Sequence, residues 1–71
     1  MRRIMDREVW VSSLLDEAGR HHERGRHERA LRCEGAAAAV EAEAGDAPPE
    51  DALPAWLEGW EDGMRIRRRF A

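Results

Sequence analysis

The chain has no lysine: all 12 of its basic residues are arginine. Alanine and arginine are both abundant, as in proteins from GC-rich genomes, so this choice reports codon usage as readily as chemistry. Cysteine is almost absent. Cys33 stands alone, which excludes an internal disulfide and makes the cytoplasm the expected location. Long apolar runs are missing as well. The longest, Ala36 to Val40, falls far short of the roughly 20 residues that span a bilayer. No apolar core follows Arg2 and Arg3 to make a secretory signal. No membrane partner is expected.

Catalytic signatures are also lacking. There is no Gly-rich phosphate loop, serine elbow or zinc motif, and the only serines, Ser12 and Ser13, fall inside a predicted helix. With 71 residues the chain makes one domain and can hardly enclose an active-site pocket, which runs to roughly hundreds of cubic ångströms. A non-enzymatic protein without a cofactor is expected. His21, His22, His27 and Cys33 invite a metal, but no pair of them has the i, i+3 or i+4 spacing that places two ligands on one helix face. No metal site is expected from them, and Cys33 reads as a small core residue. A domain this short is marginally stable alone, so support from a partner or from a homo-oligomer is expected.

What is present makes helices. The first predicted helix opens near Asp6, a fair N-cap, with Glu8 in the first turn where negative charge suits the helix dipole. Val11, Leu14, Leu15 and Ala18 form an apolar stripe that Ile4 extends backward. The Val9-Trp10-Val11 run could be a strand, but nothing nearby offers a partner. Gly19 and Gly25 mark a hinge over residues 19–27. The second helix is predicted from about Glu28 to Ala44, with Gly45 closing it and the turn at about 45–50 carrying Pro48-Pro49. Its small residues, Gly35 to Ala39, let another helix approach closely. The third helix starts between Glu50 and Pro54, because proline is tolerated only in a first turn. Leu53, Trp56, Leu57, Trp60 and Met64 share one broad face, and the basic tail 65–71 suits a helix C-terminus. The predicted fold is therefore all-α: a hairpin or small bundle of two or three helices, the second and third packed through alanines and tryptophans. Trp56 and Trp60 are expected in the core, with Trp10 more exposed.

Charge is distributed unevenly. Residues 1–32 hold eight arginines and six acids, residues 33–64 nine acids and no base, and residues 65–71 four arginines and no acid. The acidic stretch, with Glu41, Glu43, Glu58, Glu61 and Asp62, is a candidate face for a basic partner such as a nucleic-acid-binding groove. It reads equally as a solvated surface that keeps an alanine-rich protein soluble. Arg65, Arg67, Arg68 and Arg69 are candidates for gripping phosphates. They serve as well to neutralise Glu58, Glu61 and Asp62 one turn back.

The segment Ala55-Trp56-Leu57-Glu58-Gly59-Trp60-Glu61-Asp62-Gly63 resembles the closing motif of the ribosome modulation factor family and its phage-borne relatives. That family pairs a Trp-Leu-x-Gly-Trp helix with an earlier helix of spaced small residues. Trp56, Leu57, Gly59 and Trp60 match the motif, Gly35, Ala38 and Ala39 could be the small positions, and the likeness covers about residues 34–64. Pro48-Pro49 stands where the family has a Cys-Pro pair. The resemblance implies a small helical protein that binds the ribosome near where messenger RNA enters and promotes inactive ribosome dimers. The partner would be a large ribonucleoprotein complex, contacted as RNA through Arg2, Arg3 and the arginine tail. Family founders are basic, however, and the matching segment here has no base. That charge supports a second reading: an acidic inhibitor that occupies the nucleic-acid groove of a host protein complex, as many anti-CRISPR proteins do.

Overall fold

The computed structural model describes residues 7–70. The fold is all-α. Helix α1 runs Arg7–Glu23, α2 His27–Glu41 and α3 Pro54–Arg67, with a 3-10 turn over Arg68–Phe70. No strand occurs among the described residues, so Val9-Trp10-Val11 is helical. The expectations for Arg2, Arg3, Ile4 and Asp6 fall outside the described residues.

The expected hinge at 19–27 is much shorter than its glycines imply. Helix α1 passes through Gly19 and ends only at Glu23. The stop is made by backbone bonds: the Arg26 N–H reaches the His21 carbonyl at 2.8 Å and the Gly25 N–H that of His22 at 3.1 Å. This is the Schellman pattern, which needs a left-handed residue, and Gly25 supplies it at φ +74°. Gly19 has no such task. It is exposed, and a Cβ added there would meet nothing within 4 Å. Gly19→Ala is therefore expected to stabilise the protein by about 1 kcal/mol through helix propensity alone, read as a raised midpoint in urea unfolding.

Helix α2 ends three residues before the predicted Ala44, because Ala42 turns to extended backbone at ψ 153°. Gly45 is not its cap. At φ +93° it occupies the third position of a turn closed by the Asp46 N–H on the Glu43 carbonyl at 3.0 Å, a place where positive φ favours glycine. The last turn of α2 has no basic residue of its own. The Arg7 guanidinium, from the start of α1, donates to the Val40 carbonyl at 3.1 Å and the Ala42 carbonyl at 3.2 Å. A cation on the final carbonyls of a helix satisfies them and opposes the dipole. This contact also fixes α1 antiparallel to α2.

Helices α2 and α3 do not form a hairpin. Gly59 lies over Arg32 and Gly63 over Ala36, while Glu28 and Arg29 lie near Pro54 and Ala55, so the two helices run in the same sense. The connection 42–53 must return along the length of α2, about 20 Å at 1.5 Å per residue, and Pro48-Pro49 suits that extended path. The closest contacts are between backbones at small residues, with the expected alanines Ala36 and Ala39 among them, and Trp56 takes part through its carbonyl. A Cβ on Gly59 would strike the Arg32 carbonyl, one on Gly35 the Trp56 carbonyl, and one on Gly63 the Ala36 carbonyl and the Ala39 methyl. Small residues four apart on both helices allow this approach, as in small-xxx-small helix pairs elsewhere.

The core is correspondingly fine-grained. Val11, Ala18, Ala30, Ala36, Ala37, Ala39, Val40 and Ala42 are buried, and Val40 is the largest side chain fully enclosed among the described residues. Trp10, Leu14 and Ile66 pack against the Val11–Ala37–Val40 cluster. Leu15, expected on the buried stripe, is 49% exposed. With α2 filling one side of α1 only, the stripe narrows to Val11, Leu14 and Ala18. Trp56 and Trp60 are only partly buried and stack on each other, with ring centroids 5.6 Å apart and planes 23° apart. Trp10 is not more exposed in kind than this pair. Glycine contact brings the α2 and α3 backbones too close for a bulky ring to lie between them.

Candidate functional site

The five acidic candidates do not make one unopposed face. Asp62 sits between two arginines: Arg32 Nε on α2 donates to its Oδ2 at 2.8 Å, and Arg65 Nη1 to its Oδ1 at 2.8 Å. Arg32 also reaches Glu58 Oε1 at 3.5 Å. A stretch without a base of its own is thus partly answered from α2, which the order of residues along the chain does not reveal. Glu41 and Glu43 lie elsewhere. Glu41 ends α2, nine positions beyond Arg32, about 13 Å along the axis at 1.5 Å per residue. Glu43 stands in the connection, where its backbone N–H donates to Asp46 Oδ2 at 2.9 Å. Glu61 is exposed on α3. Glu41, Glu43 and Glu61 have no ion pair among the described residues.

The Arg32 hydrogen bond is the largest effect on the Asp62 carboxyl; with the Arg32 charge and the Arg65 hydrogen bond and charge it holds the group below the usual aspartate range, against a desolvation effect second only to that bond. A depressed folded-state pKa stabilises the fold above the unfolded-state value and loses that contribution as pH falls through the folded one. Carboxylate NMR is expected to show Asp62 titrating below an ordinary aspartate, and to move back toward it in Arg32→Gln, since Arg32 is the chief cause.

The arginine tail divides the same way. Arg65 is engaged by Asp62, the neutralising role foreseen for the tail. Arg67, Arg68 and Arg69 have no acidic partner among the described residues, and Arg68 and Arg69 are exposed. Arg67 is the last residue of α3 and is partly buried, and Arg68 and Arg69 follow it in the 3-10 turn. In the Trp-Leu-x-Gly-Trp segment the roles are distinct. Gly59 is the point of backbone contact with α2, Trp56 and Trp60 form a stacked, half-exposed pair, and Leu57 is partly buried.

An open groove of about 520 Å³ runs beside α1, lined by Arg7, Glu8, Val11, Ser12, Leu15 and Glu41. It holds no pairing of a nucleophile with a base. The turn between α1 and α2 gathers polar groups that spacing alone keeps apart. His22 and His27, five residues apart, have their Nδ1 atoms 2.9 Å from each other. His22 Nε2 lies 3.0 Å from Glu34 Oε2. A carboxylate only accepts, so His22 Nε2 carries the proton and, in the neutral ring, His22 Nδ1 accepts from His27. Glu17, His21 and Cys33 also come together, with ligand atoms within 4.8 Å of one another. Burial, and then Glu17, push the Cys33 thiol above its ordinary value, and its Sγ lies 3.6 Å from Glu17 Oε1 as a donor. Pairing only histidines and cysteine misses this set. The signal that finds it is the i, i+4 spacing of Glu17 and His21.

No helix among the described residues is long and apolar enough to cross a membrane. Comparison with protein-family models, with curated proteins and with solved structures finds no match.

Proposed function

We propose that this protein is a non-enzymatic modulator that binds the ribosome in the manner of the ribosome modulation factor family, using Arg67, Arg68 and Arg69 on RNA phosphates. The observation that carries this reading is the α2–α3 pair. Its closest contact is made by Gly59, a residue of the motif that carries the resemblance, against the helix bearing Gly35 and Ala39. The motif thus works here as a helix-pairing device, and the pair presents three arginines without acidic partners at its C-terminal end. The acidic inhibitor is the second reading. It is favoured by Glu41, Glu43, Asp46, Glu50 and Asp51, all exposed and without an ion pair among the described residues. Against it, Glu58 and Asp62 are tied to Arg32.

Sucrose-gradient sedimentation of bacterial ribosomes tests the proposal. The added protein is expected to travel with the ribosomes and to move them toward a dimer fraction. If it stays at the top of the gradient at low salt, ribosome binding is rejected. Retention there together with capture of a nucleic-acid-binding protein, competed by added nucleic acid, would establish the inhibitor instead.

A further inference from the structure

Glu17 and His21 lie one turn apart on α1, and Cys33 faces them from α2. We infer that these three side chains bind one divalent ion of the zinc type, through a carboxylate oxygen, an imidazole nitrogen and a thiolate sulfur. The donor set is the reason. Sulfur, nitrogen and oxygen together suit zinc, while a calcium or magnesium site is built from oxygen alone. Thiolate and carboxylate supply two negative charges, matching the ion, with the imidazole neutral.

The geometry is near that of a bound state. Metal–ligand lengths of about 2.0–2.3 Å put ligand atoms of a tetrahedron roughly 3.5 Å apart. The three atoms here lie within 4.8 Å of one another, so side-chain rotation of about an ångström closes the site without moving either helix. Cys33 and His21 are partly buried and Glu17 is exposed, which leaves a path from solvent and a fourth position for water. The Cys33 Sγ–H now donates toward Glu17. Binding replaces that proton, which passes to solvent, and the ion then bridges the two groups. One bond from Cys33 to metal forms, one S–H bond breaks, and no electron is transferred. The ion would link α1 to α2 near their connecting turn, where the buried residues include the small Ala18 and Ala30. This inference is independent of the proposed function and of the residues that support it.

Cobalt titration of the full chain, freed of metal and kept reduced without thiols, is the test. One Co²⁺ per chain is expected, with an intense thiolate-to-cobalt charge-transfer band and the strong visible bands of a tetrahedral site, both displaced by Zn²⁺. Cys33→Ser should abolish the charge-transfer band. His21→Gln and Glu17→Gln should each weaken binding by more than the roughly 10–100-fold typical of losing a group that only hydrogen-bonds to a metal ligand. Glu17 is exposed, so Glu17→Gln decides the matter even if Cys33→Ser fails to fold. The His22→Gln/His27→Gln variant should keep the band. The proposal is overturned if no band forms at millimolar cobalt or if one ion binds per two chains. It is equally overturned if binding survives His21→Gln but disappears in the His22→Gln/His27→Gln variant.

Discussion

Gly59→Ala is expected to lower the melting temperature by about 10–20 °C, a large effect for one methyl group at a glycine. Glycine in a helix interior normally gains roughly 1 kcal/mol on replacement by alanine. Here the new Cβ would fall on the Arg32 carbonyl, with the Arg32 Cα at 2.9 Å. Overpacking costs about 1–3 kcal/mol and sometimes more. The upper end applies, because the obstacle is backbone and cannot rotate away. A net loss of about 2–3 kcal/mol, at roughly 4–8 °C per kcal/mol for a domain of this size, gives the stated shift. It is a large share of the total, since stability is only about 0.05–0.15 kcal/mol per residue. Gly63→Ala should behave alike, because its Cβ would lie 2.6 Å from that of Ala39. Gly19→Ala is the matched control, the same chemical change in open space and with the opposite sign. Melting curves that place Gly59→Ala beside the parent, or above it with Gly19→Ala, would show that α2 and α3 are not in backbone contact.

Replacing Arg67, Arg68 and Arg69 together with glutamine is expected to abolish ribosome dimerisation and flatten the salt dependence of RNA binding. Each phosphate contact contributes about 0.7 to the slope of log K against log salt on single strands and about 0.9 on duplex. Three contacts therefore account for roughly 2–3 units of slope. Between 50 and 200 mM salt the parent should lose about 20–40-fold more affinity than the variant. The companion variant changes Glu41, Glu43, Glu58 and Glu61 to glutamine and Asp62 to asparagine. It should bind RNA as well as the parent or somewhat better, because losing Glu58 and Asp62 releases Arg32. The opposite pattern, a tail variant that binds normally and an acidic variant that does not, would reject the ribosome reading and establish the inhibitor. Fluorescence anisotropy with a short RNA, repeated across salt concentrations, measures both variants.

Much of the fold is legible in the order of residues. Helical periodicity with few strand-formers makes the chain all-α, Pro54 sets the first turn of α3, and the small residues from Gly35 to Ala39 announce a close helix contact. These are local properties, set by propensity, by the ring of proline and by the absence of side-chain bulk, and each can be read within a few residues. What faces what is a different kind of information. The sequence alone places Trp56 and Trp60 in the core on hydrophobicity, whereas the buried core consists of alanines with Val11 and Val40, because backbone contact at Gly59 and Gly63 leaves no room for rings. The acidic stretch looks uniform along the chain, but Arg32 reaches Asp62 and Glu58 across α2 and α3 because α3 runs alongside α2 in the same sense. Glu17, His21 and Cys33 come together only through the antiparallel turn at Gly25. Long-range pairing of this kind depends on how helices pack and which way they run, and no local propensity encodes it.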